Sequence, residues 1–517
     1  MFESVRHLAR LLSIGRTLVR HDALFSLEAL DLGVAVAWFA RVFGGRADSR
    51  FVGQRPGARL AAALQALGPS FIKLGQLLST RPDLVGAALA DDLATLRDRM
   101  PTFAAAQARQ AIATELGSSV EALFSAFDER PIAAASIAQV HFAVTSDGRA
   151  VAVKVLRPGI ERAFERDLAL FQWLAETAER TRPVLRRLRP IAVVRTLKDS
   201  ATMEMDLRLE AAAASELAAN FADDPRFQVP AVDWERTAKR VLTSARVDGI
   251  AIADREALIA AGIDLRAVAV SLVRVFLQQV FRDGFFHADL HHGNLFVAPE
   301  GTIHAVDFGI MGRLDAPMRR FFGELLLAFL NADYRRAAEL HFEAGIVAPD
   351  QSVDAFAQAC RSIGEPILGQ SSDHISIGRL LGQLFETTEA FAMATQPQLL
   401  LLQKTMVVVE GVARGLDPEL NIWEAGRPVL ETWARETLAP DAQLKSALGQ
   451  VAGAARRFPD LVARAEAAAG VMTAEGLRLH PDSARDIAAA QARYRRPLHL
   501  LAWLAVVLLA VLLISQI

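Results

Sequence analysis

At 517 residues the chain has room for roughly two to four compact units, so core size is not limiting. Its 57 basic and 59 acidic residues leave a net charge of −2, which offers no overall cationic footprint for nucleic acid, and hydrophobic residues reach 52%. The single cysteine, Cys360, excludes an internal disulfide and a cysteine-cluster metal site, and its helical setting in DAFAQACRSIG reads as a buried core thiol.

In chain order, Arg6, Arg10, Arg16 and Arg20 are spaced among leucines in an amphipathic helix. This helix is read as packing on its own domain, with a helix lying on a membrane as the alternative. Its longest uncharged apolar stretch, Leu32 to Ala40, is too short to span a bilayer. Residues 1–120 read as a helical extension containing GPSFIKLGQLLSTRPDLV. From Ser136 the period changes: SIAQVHFAV and AVAVKVLRP form two β-rich runs joined by an Asp147-Gly148 turn. Residues 192–219 form one long helical candidate containing MEMDLRLEAAAASEL, and a β-rich piece, RVLTSARVDGI, follows. A helical stretch over 255–286 leads into GFFHADLHHGNLFV and a strand-turn-strand through Gly301 to AVDFGI. The remainder, to about residue 490, reads as alanine-rich helix.

The tail differs. From Pro497 to Ile517 there is no acidic residue, lysine or arginine, and at 1.5 Å per residue the run covers about 30 Å, the thickness of a hydrocarbon core. Arg493, Arg495 and Arg496 precede it directly, so a transmembrane helix with the bulk of the chain in the cytoplasm is expected.

Phosphate chemistry with ATP needs a lysine for phosphates and oxygen ligands for Mg²⁺. Lys154 ends VAVK on an expected strand. HADLHHGN places Asp289 five residues before Asn294, the spacing of a kinase catalytic loop, and Asp307 opens DFG at a strand end. Each match alone is weak; their order is what points to a nucleotide site. The competing reading of HADLHH is a zinc cluster of His287, Asp289, His291 and His292.

Over residues 60–320 the chain resembles the UbiB family of atypical protein-kinase-like proteins. The resemblance rests on KLGQ at Lys73–Gln76, on PIAAASIAQV in place of a glycine-rich loop, and on the lack of an Ala-Pro-Glu signature after Asp307. It implies an α+β, two-lobe, atypical protein-kinase-like fold with an N-terminal helical extension and a C-terminal transmembrane helix. The expected divisions are 1–120 for the extension, 121–250 for the N-lobe, 251–440 for a helical C-lobe, 441–496 for a helical stalk and 497–517 for the span. It further implies ATP contacts from Ile132, Ala133, Ala134, Ala135, Ser136, Ile137, Ala138, Gln139, Val140 and Lys154, with Mg²⁺ on Asn294 and Asp307. Asp289 would handle the acceptor proton. Lys73 and Gln76 would face the phosphates from a helix folded over the cleft, and MEMDLRLE would supply their partners: Glu210 for Lys154 and Glu204 for Lys73, with Asp206 between them. Helix geometry leaves the choice of acid for each lysine open. Ala213, His292 and Ala245 depart from the family pattern.

The resemblance also implies a role in ubiquinone biosynthesis at the bacterial cytoplasmic membrane, with polyprenyl-phenol intermediates, membrane lipid, other ubiquinone-biosynthesis proteins and a second copy of the chain as expected partners. Mg-ATP-driven ATPase or small-molecule kinase activity is the leading expectation. A nucleotide-gated scaffold and a conventional protein kinase are the alternatives. A polyprenylphenol hydroxylase fits less well, because the chain lacks a dinucleotide-binding glycine motif, clustered cysteines and a facial His-carboxylate set.

Overall fold

The computed structural model describes residues 2–23, 48, 50–51, 53–79, 85–93, 96, 101–181, 189–368, 391, 397–438, 472–473 and 476–477. The chain divides into one unit, Met1–Ala434, and a second, Arg435–Ile517.

The first unit opens with helices α1 (Phe2–Arg20), α2 (Pro56–Leu67), α3 (Pro69–Ser79) and α4 (Ala87–Leu93). Pro56 and Pro69 stand at first helical positions, where a missing N–H costs nothing. Leu18 and Val19 of α1 are buried with Leu60, Leu64, Phe71 and Leu93, so the amphipathic helix packs on its own domain. Helices α5 (Ala105–Leu116) and α6 (Val120–Leu123) lead to a sheet of β1 (Phe124–Phe127), β2 (Ala133–Ala134), β3 (Ala138–Thr145), β4 (Ala150–Leu156) and β6 (Val241–Ala245). The strands pair antiparallel in the order β1-β3-β4-β6, and Lys154 lies opposite Val140 and Leu242. Gly148, at φ +88°, makes the β3–β4 turn.

Between β4 and β6 run α7 (Ile160–Thr181), α8 (Pro190–Glu204) and α9 (Leu207–Asn220), with β5 (Phe227–Gln228) after them. The single helix expected over 192–219 is two. Asp206 adopts φ −120°, ψ 92° and its carboxylate accepts the Arg208 N–H, capping α9 and ending α8.

The second part of this unit holds β7 (Ile250–Ala251), α10 (Arg255–Ala260), α11 (Leu265–Gln278), β8 (Phe285–His287), β9 (Leu295–Val297), β10 (Ile303–Ala305), β11 (Met311–Arg313), α12 (Ala316–Leu330), α13 (Tyr334–Glu343), α14 (Val353–Leu368), α15 (Pro397–Leu416) and α16 (Ile422–Leu438). The helix expected through 286 is interrupted after Ala260 and finishes as a π-turn over Gln279–Asp283, closed by Gly284 at φ +64°. Strands β5, β10, β9 and β7 form one small sheet, and β8 pairs with β11. Cys360 is buried among Tyr334, Phe356 and Ala337, where burial pushes its thiol up to about 12.

In the second unit, Met472–Thr473 pairs antiparallel with Gly476–Leu477, a short hairpin (β12, β13) where helix was expected. The tail from Pro497 lies outside the described residues, and no helix among the described residues is long and apolar enough to cross a membrane.

Candidate functional site

The site is built on β4, α9 and the two turns flanking β9 and β10. Lys154 sits on a strand whose neighbours Val153 and Val155 are fully buried, so strand alternation turns its side chain to the opposite face. There Lys154 Nζ lies 2.7 Å from Glu210 Oε1 and 2.8 Å from Asp307 Oδ1. Burial opposes the charge on Lys154, but the Asp307 and Glu210 carboxylates outweigh it and hold its pKa above the ordinary value. Burial raises Glu210, with the Lys154 cation acting against the shift, whereas the same cation holds Asp307 well below the usual carboxylate range.

Asp307 has φ +64° and a side chain 45% exposed. A non-glycine residue in the left-handed region costs about 1–2 kcal/mol, and aspartate is among the residues that tolerate it. Gly309 follows closely: a Cβ there would come 3.5 Å from Asp307 Oδ1.

The loop from His287 to Asn294 is fixed by hydrogen bonds. The Asp289 N–H donates to His287 Nδ1 at 3.1 Å, so the ring proton resides on Nε2, which donates to the Val306 carbonyl at 3.2 Å. His287 is fully buried, and burial depresses its pKa, keeping it neutral. With both ring nitrogens engaged, His287 is not available as a zinc ligand, and no group of three or more potential ligands gathers among the described residues. Asn294 Nδ2 donates to the Asp289 carbonyl at 3.0 Å, which turns the amide oxygen the other way. His291 lies beside Asp289, Nε2 to Oδ2 3.6 Å. The Asp307 carboxylate and Asn294 amide are hard oxygen donors of the kind Mg²⁺ takes; Asp307 lies beside Lys154, and the Val306 N–H, donating to the Asn294 carbonyl at 2.9 Å, ties the two loops together, a setting that fits a metal-bound polyphosphate.

The alanine-rich segment folds as a tight hairpin. Ala133 and Ala134 pair with Val140 and Gln139, and the Ala135 N–H donates to the Ala138 carbonyl at 2.8 Å across Ser136-Ile137. Ile132 and Ala133 are exposed, whereas Ser136, Ile137 and Ala138 are buried. The side chain of Gln139 turns away beneath the sheet, accepting the Phe103 N–H at 3.0 Å and meeting His141 Nε2 at 2.8 Å.

On α3, Lys73 is buried and pairs with Glu204 at 2.6 Å, while Gln76 lies one turn further along. Glu204, the last residue of α8, therefore meets Lys73, and Glu210, on α9, meets Lys154. Asp206 joins neither lysine; besides capping α9 it pairs with the Arg208 guanidinium at 2.6 Å.

Comparison with known proteins agrees with this geometry. Residues 95–341 match the model of an ABC1 atypical kinase-like domain, and 360–421 match that of a UbiB helical domain. A protein of Aeromonas hydrophila named probable protein kinase UbiB is 44% identical over 414 residues, covering 79% of this chain and 76% of its own. A protein of Xanthomonas euvesicatoria with the same name is 43% identical over 466 residues, covering 87% and 82%. The chain belongs to the UbiB family of atypical kinase-like proteins. In three dimensions it is similar to Rv3197 of Mycobacterium tuberculosis, solved as an erythromycin complex, with TM-score 0.51 and 26% identity over 71% of this chain and 92% of that one. The kinase-like match of this UbiB-family chain takes in Lys154, Glu210, Asp289, Asn294 and Asp307, and Lys73 and Gln76 precede it.

Two supports of the site, one buried and one half-buried, escaped the sequence reading. Gln279, in the π-turn, accepts the His287 N–H at 2.9 Å, and π-turns gather at functional sites. Arg10 of α1 binds Asp167 of α7 with two nitrogens, at 3.0 and 2.9 Å, and lies over the Phe71 ring at 5.3 Å, two residues before Lys73. The paired glutamines before VFRDGFFH were the one available signal for the first; Arg10 had none beyond its place on an amphipathic helix.

Proposed function

We propose that this chain is a membrane-anchored atypical kinase or ATPase of the UbiB type that uses Mg-ATP to support ubiquinone biosynthesis. The observation that carries the reading is the junction of Lys154, Glu210 and Asp307, set beside the braced Asp289–Asn294 loop. In this reading Lys154, held by Glu210, meets the phosphates, and the backbone of the alanine hairpin lies along the nucleotide. Asp307 and Asn294 hold Mg²⁺, which neutralises charge on the phosphates when bound. Asp289 orients or deprotonates the acceptor, water or a substrate hydroxyl. The buried Lys73–Glu204 pair fastens α3 to the end of α8, which favours a small acceptor over a protein segment. The apolar tail from Pro497 serves as the membrane anchor and brings the site to polyprenyl-phenol intermediates and to other quinone-making proteins.

The test is Mg-dependent ATP turnover by the detergent-purified chain, with and without anionic liposomes and a phenolic quinone-precursor mimic, with Asp307→Asn as control. Turnover that rises with lipid or phenol and disappears in Asp307→Asn supports the proposal. Nucleotide binding with turnover no faster than the control under every condition would replace it with a nucleotide-gated scaffold.

A further inference from the structure

Both backbone groups of Ala288, the residue that precedes Asp289, are held. The Ala288 N–H donates to the Ile310 carbonyl at 3.0 Å, three residues past Asp307. The Ala288 carbonyl accepts a hydrogen bond from Thr405 Oγ1 at 3.2 Å, across 117 residues of sequence. Thr405 lies midway along α15, inside the stretch that matches the helical domain, and is 1% exposed. Its hydroxyl also reaches back to the Leu401 carbonyl at 2.8 Å. One hydroxyl proton serves both acceptors, but in a helix the Leu401 carbonyl already faces the Thr405 N–H, so the hydroxyl matters most to Ala288.

We infer that Thr405 is a positioning residue: from the helical domain, its hydroxyl fixes the peptide that carries Asp289. The rest of that backbone is already bound. The Asp289 N–H rests on His287 and its carbonyl on Asn294, so Thr405 supplies the restraint on the one remaining side. A buried carbonyl that loses its donor has no water to turn to, and the peptide rotates to find a partner. Rotation about that peptide swings the Asp289 carboxylate while leaving Lys154 and Asp307 where they are. Displacing a catalytic group by about 1 Å costs on the order of 100-fold in rate, so a partial swing is felt in turnover before it is felt in nucleotide binding.

The catalytic consequence rests on the ATPase or kinase reading given above; the structural one does not. The experiment therefore has two arms on full-length wild type, Thr405→Val and Thr405→Ser. In the first, backbone hydrogen exchange is followed in a peptide covering residues 286–296. Thr405→Val is expected to raise exchange there by tenfold or more while α11 and α12 stay unchanged, with Thr405→Ser close to wild type. Equal exchange in all three proteins, or a rise spread over the whole unit in Thr405→Val, overturns the inference. In the second arm, Mg-ATP turnover is expected to fall roughly tenfold in Thr405→Val, with the nucleotide KM unchanged and the serine variant restored. A fall that appears in KM instead overturns the positioning role. If wild type shows no turnover dependent on Asp289, the proposed activity fails, and the exchange arm alone decides whether Thr405 holds the loop.

Discussion

Glu210 and Asp307 share one counter-ion, the Lys154 ammonium, at 2.7 and 2.8 Å. Two carboxylates from distant segments thus depend on one lysine for neutralisation, and its loss is felt by both. Removing one partner of a buried ion pair costs about 3–5 kcal/mol, because the charge left behind is uncompensated. Lys154→Met is therefore expected to lower stability in chemical denaturation, and Lys154→Met/Glu210→Gln to recover a large part of it. Nucleotide binding should be lost in both. Equal stability of the single and double variants would show that Glu210 is not the residue strained by the loss.

The backbone at Asp307 separates two substitutions that remove the same charge. Asparagine tolerates the left-handed conformation at φ +64° and alanine does not, with a difference of about 1 kcal/mol. Both substitutions lose the attraction to Lys154 and should lose Mg-nucleotide binding, but Asp307→Asn should be the more stable of the two by about 1 kcal/mol. A matched pair of melting curves decides it.

Gly75 lets α3 lie against α2 and its surroundings: a Cβ at this position would overlap methyl groups of Leu96 and Leu64. Overpacking of this kind costs about 1–3 kcal/mol. Gly75→Ala should destabilise the extension by that amount, and Gly75→Ala/Leu96→Ala should lose less than the sum of the two single losses, since the nearer obstructing methyl is gone. Strict additivity of the two losses would mean that the overlap is not the cause.

Stability should fall as pH drops below about 6.5, the ordinary histidine pKa. Burial holds the pKa of His287 and of His341 below that value, so the unfolded chain takes up protons in this range that the folded chain refuses. The stability each contributes is present above about pH 6.5 and is lost as pH falls toward the folded value, at about 1.4 kcal/mol per pH unit. His141 and His304 act in the same direction. Glu210 acts in the other: burial raises its folded pKa above the ordinary carboxylate value, so the folded protein binds a proton ahead of the unfolded chain and offsets part of the histidine effect. His341→Phe, which keeps an aromatic ring between Phe321 and Phe356, should flatten the slope of stability against pH between 5 and 6.5. An unchanged slope would remove His341 from the linkage.

Much of the site was legible because it depends on local spacing. Lys154, Asp289, Asn294 and Asp307 were picked out by the order and spacing of VAVK, HADLHHGN and DFG along the chain. Asp206 carried a readable signal too, as an N-cap residue before LRLE, but the helical pattern on both sides made one continuous helix the stronger expectation. Gln139 was expected along the nucleotide, yet strand period alone turns it to the face opposite Ala138 and Val140. Thr405, Gln279 and Arg10 were out of reach for a different reason. Each acts on a residue brought near only by tertiary packing, and beyond the paired glutamines at 278 and 279 no local pattern marks them.

The break at Met205-Asp206 joins two helices that grip different lysines, Glu204 on one side and Glu210 on the other. The two grips are thus the arms of a rocker with its fulcrum at a single capped turn. A displacement of that turn therefore reaches the partner of Lys73 and the partner of Lys154 together.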